Sequence, residues 1–351
     1  MRRPYLQGVT SDLAMVVWTS PIQGDFRVRV RRARANEYRD VVAVRTVSDF
    51  GKTDQFSARL DQLDPGQEYC FEVVVNGSVW LGASRFRTAP RRGSSETVRI
   101  VAIGDLGYRG KDQQAVRKHW AKVDHDFVLI PGDLAYESGT LKEFDQNFFR
   151  PLDSILRHVP VFPALGNHDN ETADGGPFRE VFQLPENGGA VGRERWYSFD
   201  WGSVHIVVLD TNHINKQQIS WLAVDLAKNR LPWKFVVLHE PPFSSGRHGS
   251  SSKVRKAFVP LFEHYKVQLV LAGHDHHYER THPLSGVTYI VTGGGGRGTR
   301  GVGKSEFTAF SLRVAHFVHI VVDEGVARLY GVDGTGQTFD TVSISREPGT
   351  N

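Results

Sequence analysis

The stretch DFVLIPGD, residues 126–133, is an apolar run that ends in a glycine followed by an aspartate. Five such runs end in side chains able to bind a metal ion or act on a substrate: VRIVAIGD in Asp105, DFVLIPGD in Asp133, VFPALGNHD in Asn167 and His168, FVVLHE in His239, and VQLVLAGHDH in His274 and His276. Short apolar runs bounded by turn residues are typical of buried strands. Because open α/β sheets place ligands at the carboxyl ends of their strands, the five runs predict an α/β domain with one convergent site.

The rest of the chain agrees with an α/β domain and adds a second one. Helix-like segments such as DQQAVRKHWAKV, QQISWLAVDLAKN and SKVRKAFVPLFEHY alternate with the apolar runs from Val98 onward. From Tyr5 to about Thr88, short alternating runs separated by turn clusters predict an all-β sandwich. The polar segment PRRGSSE, residues 90–96, is a natural linker. We therefore expect a β domain over residues 1–90 and an α/β domain over residues 97–351.

Composition narrows the class of protein. The 351 residues, 40% of them hydrophobic, are enough for about two domains with proper cores. The net charge of +4 comes from dispersed Lys and Arg, so no nucleic-acid-binding patch is indicated, while anionic substrates remain compatible. The single cysteine, Cys70, excludes an internal disulfide or a cysteine zinc site and is expected in the core. No apolar run reaches membrane-spanning length, and the first residues do not resemble a signal peptide, so we expect a cytoplasmic protein or a mature form written without its signal.

The glycine-rich stretch GGGGRGTRGVGKS, residues 293–305, fits two nucleotide-binding patterns, the P-loop and the dinucleotide fingerprint. Both patterns require a helix directly after the glycines, because its N-terminus supplies the amides that hold phosphate. The residues that follow alternate and are rich in Val, Phe and Tyr, which predicts strands instead. We therefore expect no nucleotide cradle here and a solvated Lys304.

The residues at the strand ends predict a metal centre. Asp105 or Asp133 alone would more often be a turn or capping residue, but together these carboxylates and imidazoles are costly unless positive charge compensates them. Oxygen and nitrogen donors without sulfur suit iron, zinc or manganese. The number of donors suggests two ions that share a carboxylate.

The motifs GDLG, GDLAY, GNHD, VVLH and GHDH, in this order, resemble the five blocks of the calcineurin-like metallophosphoesterases. Tyr136, three residues after Asp133, makes the chain similar to the purple acid phosphatases in particular. Gly107 stands where many relatives carry a histidine, and the tyrosine replaces that ligand. The resemblance implies an α/β/β/α sandwich behind a fibronectin type III-like β domain.

The resemblance also implies roles for individual residues. One ion, Fe(III), would bind Asp105, Tyr136, His276 and the shared Asp133, and the second, Fe(II), Zn(II) or Mn(II), would bind Asp133, Asn167, His239 and His274. A metal-bound hydroxide would hydrolyse phosphate monoesters, with His168 as the proton donor and His248 on the substrate side. His248 is followed by Gly249, whereas plant members carry two adjacent histidines at this point. The resemblance therefore leaves the pH optimum and the identity of the proton donor open. Arg247 is either solvated or in contact with the phosphate.

Alternatives remain. The same site would serve a phosphodiesterase or a nucleotide hydrolase. A binding or adhesion protein with a relic metal site is opposed by the presence of all seven expected ligands. Substrate choice is expected in the loops 170–196 and 293–305, where Arg297 or Arg300 would lie near the rim. The expected partners are small phosphoester substrates, the oligomeric state is open, and the resemblance favours a secreted or periplasmic location.

Overall fold

The computed structural model describes residues 1–346. Its first part contains eight strands: β1 (Tyr5–Gln7), β2 (Ala14–Thr19), β3 (Phe26–Arg32), β4 (Arg39–Val42), β5 (Val44–Thr46), β6 (Gln55–Leu60), β7 (Glu68–Val75) and β8 (Ser78–Arg87). They form two antiparallel sheets, with the strand orders β1-β2-β6-β5 and β4-β3-β7-β8. The predicted all-β arrangement of this part is confirmed.

Aromatic side chains from both of these sheets form the core between them. Phe26 of β3 lies 4.6 Å from the ring of Phe56 and 5.8 Å from that of Trp18, measured between ring centroids. All three side chains are buried, as is the free thiol of Cys70 in β7. The strand β3 alternates buried and more exposed residues, so the period-two pattern of its sequence places Phe26 between the two sheets.

The second part contains thirteen strands: β9 (Val98–Ala102), β10 (Phe127–Ile130), β11 (Val161–Pro163), β12 (Tyr197–Trp201), β13 (Val204–Val208), β14 (Trp233–Leu238), β15 (Leu269–Ala272), β16 (Tyr278–Thr281), β17 (Thr288–Thr292), β18 (Thr308–Leu312), β19 (His316–Val322), β20 (Val326–Asp333) and β21 (Thr338–Ser345). A six-stranded sheet has the order β11-β10-β9-β19-β20-β21, and a seven-stranded sheet has the order β12-β13-β14-β15-β17-β16-β18. The strands β9, β10 and β11 are parallel to one another, as are β13, β14, β15 and β17.

The α-helices are α1 (Lys111–Trp120), α2 (Leu141–Glu143), α3 (Arg150–Leu156), α4 (Asn167–Glu171), α5 (Gly176–Val181), α6 (Gly189–Gly192), α7 (Lys216–Lys228) and α8 (Ser252–His264). A π-helical segment, Phe144–Phe149, joins α2 to α3, and a 3-10 turn, Thr172–Gly175, joins α4 to α5. The three long helices, α1, α7 and α8, lie where the sequence predicts them. Residues 170–196, expected as a substrate loop, instead contain several short helices.

The two large sheets face each other, and helices cover their outer sides. Phe162 of β11 stacks on Phe199 of β12 with a centroid distance of 3.8 Å, which joins the sheets across the central core. On the outer side of the seven-stranded sheet, Leu222 of α7 and Phe258 of α8 belong to a buried cluster with Val236 of β14. These layers confirm the expected α/β/β/α sandwich.

The β-rich part rests on the segment 170–196 of the second part. The Tyr5 hydroxyl donates a hydrogen bond of 2.5 Å to the carbonyl of Val181. The Glu180 carboxylate accepts bonds from the Ser48 hydroxyl at 2.6 Å and from the Asp49 N–H at 2.9 Å. This segment therefore serves as a docking surface between the two parts. In the described residues, 1–346, no helix has both the length and the apolar character needed to cross a bilayer.

Candidate metal centre

The five apolar runs all form strands, and each predicted metal ligand lies within six residues of a strand's carboxyl end. Three of these strands, β9, β10 and β11, belong to the six-stranded sheet, and two, β14 and β15, belong to the seven-stranded sheet. The contacts described below bring both sets of strand ends together. The predicted convergence is therefore confirmed, and the site lies between the two sheets.

Asp105, Asp133 and His239 form the centre of this cluster. Their candidate ligand atoms all lie within 4.8 Å of one another, and all three residues are buried. His239 Nε2 lies 3.5 Å from Asp133 Oδ2, while its Nδ1 contacts the Pro131 carbonyl at 2.8 Å. The carbonyl fixes the ring so that Nε2 faces the carboxylates, as second-shell partners of metal-binding histidines commonly do.

Tyr136 and His276 lie on the Asp105 side of the cluster. The tyrosine hydroxyl donates a hydrogen bond of 2.9 Å to Asp105 Oδ1 and lies 3.3 Å from His276 Nε2. His276 Nε2 is itself 3.4 Å from Asp105 Oδ1. One phenol, one carboxylate and one imidazole therefore point at a common space.

Asn167, His239 and His274 lie on the other side. Asn167 Oδ1 is 3.0 Å from His239 Nε2 and 3.0 Å from His274 Nδ1. The two imidazole nitrogens are 3.2 Å apart. All seven side chains expected to bind metal are thus assembled in two adjoining groups.

The backbone at this site adopts conformations that most residues avoid. Asp105, Asp133 and His274 have positive φ angles of 55°, 58° and 70°. Left-handed φ angles in residues other than glycine persist where surrounding contacts impose them, and they cluster at functional sites.

At Asp133 the positive φ angle is held by contacts with Asp169, a residue that was not among the site residues predicted from the sequence. Its buried carboxylate accepts bonds from the N–H groups of Asp133 at 2.8 Å, Leu134 at 2.8 Å, Ala135 at 3.0 Å and Gly166 at 3.0 Å. The available signal was its place in GNHD, two residues after Asn167.

Two glycines are required by close approaches. A Cβ atom at Gly166 would lie 2.1 Å from Asp133 Oδ1, so a side chain there would displace the carboxylate. A Cβ at Gly107 would lie 2.0 Å from the carbonyl carbon of Leu134. Many relatives carry a histidine at position 107, and this backbone arrangement has no room for one. Tyr136 instead reaches Asp105 from the neighbouring turn.

The electrostatics of the cluster favour bound cations. Burial raises the pKa of Asp133, and the charge of Asp105 raises it further. Burial and the two carboxylates raise the pKa of Tyr136 well above its usual value. Burial, helped by the charge of His239, lowers the pKa of His274 to about 3. Burial opposes ionisation of Asp105 too, but contacts led by His276 outweigh it and lower the pKa of this carboxyl. Positive ions would stabilise the carboxylates and the phenolate and would use the neutral imidazole of His274 as a ligand. The donor set therefore fits a metal centre.

His168 and His248, the expected catalytic histidines, flank the cluster on opposite sides. The His168 ring packs on that of Tyr136 at a centroid distance of 4.6 Å, and its backbone N–H donates to Asp133 Oδ1 at 3.1 Å. The His248 ring packs on that of His274 at 4.3 Å. The His248 N–H donates to the buried carboxylate of Asp275 at 3.0 Å, which fixes this loop against the GHDH turn. Both histidines thus border the space above the ligands.

The first four residues of the glycine-rich stretch pack against the site. The run Gly293–Gly296 is buried directly after β17, and no helix follows it within the described residues. The Gly295 N–H donates to the Gly104 carbonyl at 3.0 Å, and the Arg297 N–H donates to the Asp105 carbonyl at 3.0 Å. The glycines therefore allow this backbone to approach the turn that carries Asp105, and the helix that a nucleotide cradle requires does not follow them in the described residues. Lys304 is exposed, as expected.

Arg297 and Arg300 both lie near the rim. The guanidinium of Arg297 is 4.4 Å from the ring centroid of Tyr108 and 5.2 Å from that of Tyr136, and it pairs with the Glu137 carboxylate. Arg300 contacts His248. Arg247 is exposed, in agreement with the solvated alternative for this residue.

Comparison with known proteins agrees with this geometry. The sequence profile described as calcineurin-like phosphoesterase matches residues 98–278. Purple acid phosphatase 21 of Arabidopsis thaliana is 30% identical over 264 residues, which cover 68% of this chain and 57% of the relative. Probable inactive purple acid phosphatase 1 of the same plant is 26% identical over 345 residues, which cover 81% of this chain and 54% of the relative. The chain thus spans little more than half the length of these curated relatives.

A solved structure extends the similarity to the β-rich part. A purple acid phosphatase from yellow lupin (Lupinus luteus) seeds superposes with a TM-score of 0.87 and 23% identity, covering 98% of this chain and 74% of the lupin chain. The architecture is therefore shared over nearly the whole chain. The calcineurin-like phosphoesterase match over residues 98–278 implies a two-metal centre, and Asp105, Asp133 and His239 form the candidate metal group.

Proposed function

The chain belongs to the calcineurin-like phosphoesterase family, and from this premise we propose that it hydrolyses phosphate monoesters at a two-metal centre, as an acid phosphatase does. The single observation that carries the proposal is the buried group of Asp105, Asp133 and His239, whose ligand atoms lie within 4.8 Å of one another. Four further oxygen and nitrogen donors border this group. One of the relatives named above is described as probable inactive, so activity has to be measured for this chain itself.

We assign the ligands from the two groups of contacts. Asp105, Tyr136 and His276 would hold the first ion, Fe(III), and Asn167, His239 and His274 would hold the second, Fe(II), Zn(II) or Mn(II). Asp133 would serve both ions. The support for a bridging role is its position, since Asp133 is close to His239 on one side and belongs to the same buried group as Asp105 on the other.

When bound, the two ions supply Lewis acidity, lowering the pKa of water and neutralising the phosphate charge. The protein's own task is then to orient the ester and to protonate its leaving oxygen. His168 suits this second task because its Nδ1 contacts the Glu137 carbonyl, which leaves Nε2 available for a proton transfer. His248, on the opposite side, is placed to contact the substrate.

We also retain as a proposal the division of the chain into a fibronectin type III-like domain, residues 1–90, and a catalytic domain, residues 97–351. The boundary is supported by the gap between the strand ending at Arg87 and the strand beginning at Val98. The hydrogen bonds from Tyr5, Ser48 and Asp49 of the β-rich part end on residues 180–181. None of these bonds involves a proposed ligand. We assign it a supporting role.

The test combines metal analysis with two generic substrates. The purified protein is expected to hold two metal ions per chain and to hydrolyse p-nitrophenyl phosphate faster than bis(p-nitrophenyl) phosphate. The opposite preference would make it a phosphodiesterase at the same site. A protein that holds both ions yet hydrolyses neither ester would refute the proposed activity.

A further inference from the structure

Arg300 occupies a defined position at the mouth of the candidate metal centre. Its Nη1 donates to His248 Nε2 at 2.7 Å, and its backbone N–H donates to the carbonyl of His276 at 2.8 Å. The second bond ties the base of the side chain to the GHDH turn. The guanidinium is therefore held at the site by its own backbone and by its contact with His248.

Among the described residues, 1–346, no carboxylate compensates the charge of Arg300. Within residues 1–346, Arg297 pairs with Glu137, whereas Arg300 makes no ion pair and contacts only the imidazole of His248 through its side chain. A guanidinium offers five N–H donors in a planar fork that matches a carboxylate or a phosphate. One donor is used by His248, so the others remain free for an anion.

The contacts between the metal centre and Arg300 indicate which part of a substrate the guanidinium would bind. The side chains form a series of contacts: the His274 ring is 5.0 Å from that of His239, the His248 ring is 4.3 Å from that of His274, and the Arg300 guanidinium contacts the His248 ring. In this series the Arg300 guanidinium follows His248, which in turn follows the proposed ligand His274. A phosphate held between the ions would meet His248 first, and a group attached beyond that phosphate would meet Arg300.

We propose that Arg300 and His248 form a subsite for a second anionic group of the substrate, so that the enzyme prefers phosphate monoesters carrying a further carboxylate or phosphate next to the ester. This inference rests on the proposed phosphatase function and specifies its substrate class. Charge-assisted hydrogen bonds from arginine to such groups are among the stronger polar contacts in proteins.

Binding of non-hydrolysable probes tests the subsite without catalysis. Methylphosphonate carries one anionic group, phosphonoacetate adds a carboxylate, and methylenediphosphonate adds a second phosphonate. Isothermal titration of the metal-loaded wild type is expected to show about tenfold tighter binding of a two-anion probe than of methylphosphonate. A preference for phosphonoacetate alone identifies a carboxylate subsite, and a preference for methylenediphosphonate alone identifies a phosphate subsite.

Variants connect the preference to Arg300. Arg300→Ala is expected to remove most of the tenfold preference, and Arg300→Lys, which keeps the charge but not the fork, is expected to retain part of it. Lys304→Ala removes one exposed positive charge from the same loop and serves as the matched control with an unchanged preference. An Arg300→Ala protein with the wild-type preference, or one that loses affinity equally for all three probes, would overturn the subsite.

The two proposals fail separately. If the wild type hydrolyses p-nitrophenyl phosphate but shows no preference that depends on Arg300, the subsite is wrong and the phosphatase function stands. If the metal-loaded wild type hydrolyses no phosphate ester, the function is wrong whatever the probes show.

Discussion

Asp169 accepts a hydrogen bond of 2.8 Å from the backbone N–H of Asp133, a residue 36 positions earlier in the chain. The same carboxylate binds the two N–H groups that follow Asp133. Because Asp133 has a φ angle of 58°, which is unfavourable for a residue with a side chain, these bonds hold the proposed bridging carboxylate in place.

Asp169→Asn is expected to weaken metal binding about 10- to 100-fold, the usual cost of removing a partner that orients a metal ligand. The amide keeps one acceptor oxygen but places an NH₂ group against backbone donors, so the Asp133 turn loses its support. Competition with a chelator, read by metal analysis, measures the effect. The control is Asp174→Asn, which changes an exposed carboxylate a few residues after Asp169. Equal affinities in wild type and Asp169→Asn would refute the positioning role.

Tyr136→Phe is expected to abolish the purple colour of the iron-loaded, oxidised protein. The colour would arise from charge transfer between the phenolate and Fe(III). Because burial and two neighbouring carboxylates raise the pKa of Tyr136, the metal-free protein should contain the neutral phenol and show no such band. Visible absorption spectra before and after iron loading provide the measurement. An iron-loaded wild type without a phenolate band would remove Tyr136 from the ligand set.

Asp133→Ala and His168→Ala are expected to lower activity for different reasons, the first through loss of metal and the second through loss of the proton donor. Without the shared carboxylate, Asp133→Ala should lose metal and activity together. His168→Ala should keep both ions but hydrolyse alkyl phosphates about a hundredfold more slowly, because general acid catalysis contributes at least that much. Activated aryl phosphates, whose leaving groups need no proton, should be less affected. Unchanged rates on both classes of substrate in His168→Ala would exclude it as the acid.

The sequence is sufficient to predict the five buried strands and the carboxylate, amide and imidazole side chains that follow them. A buried strand has a local signature, an apolar run closed by turn residues, and the ligand types at five such ends have no separate explanation. The strands that follow the glycine loop are also predictable, since the alternation after Ser305 is visible in the residues themselves.

The division of the strands between two sheets and the long-range supports of the site are not predictable in this way. Asp133 and His239 belong to turns after strands of different sheets, and nothing local to either run says that they meet. The same holds for the contact between Arg300 and His248, which are 52 residues apart. Such pairs depend on how the sheets pack, and a single sequence carries no local signal for that packing.

His205 lies between two carboxylates away from the metal centre. Its Nδ1 is 2.6 Å from Asp200 and its Nε2 is 2.7 Å from Asp225. Burial would lower the pKa of His205, but the bonds to Asp200 and Asp225 outweigh burial and raise the pKa. Because the folded state binds this proton more tightly, the stabilisation is complete below the unfolded-state pKa and is lost as the pH rises through the folded-state pKa.

His205→Gln is therefore expected to destabilise the protein more at pH 6 than at pH 9, by about 1–3 kcal/mol at the lower pH. Urea unfolding of both proteins at the two pH values gives the difference in the free energy of unfolding. His213→Gln alters an exposed histidine that pairs with Asp174 and serves as the control. A destabilisation that is equal at the two pH values would mean that the charge of His205 makes no contribution.

Lys304→Ala is expected to leave phosphoester hydrolysis within a few-fold of wild type, although Lys304 occupies the lysine position of a P-loop pattern. In a true P-loop the lysine contacts the terminal phosphates, so its loss abolishes nucleotide hydrolysis. Here the glycines of residues 293–296 pack against the Asp105 turn, and Lys304 is exposed. Hydrolysis of ATP alone does not separate the two sites, because a phosphatase with a broad specificity also attacks ATP. The comparison with Asp133→Ala does, since that variant should lose activity on every substrate, ATP included. ATP hydrolysis that depended on Lys304 and survived in Asp133→Ala would place the nucleotide site in the glycine loop and refute the metal-centre proposal for that activity.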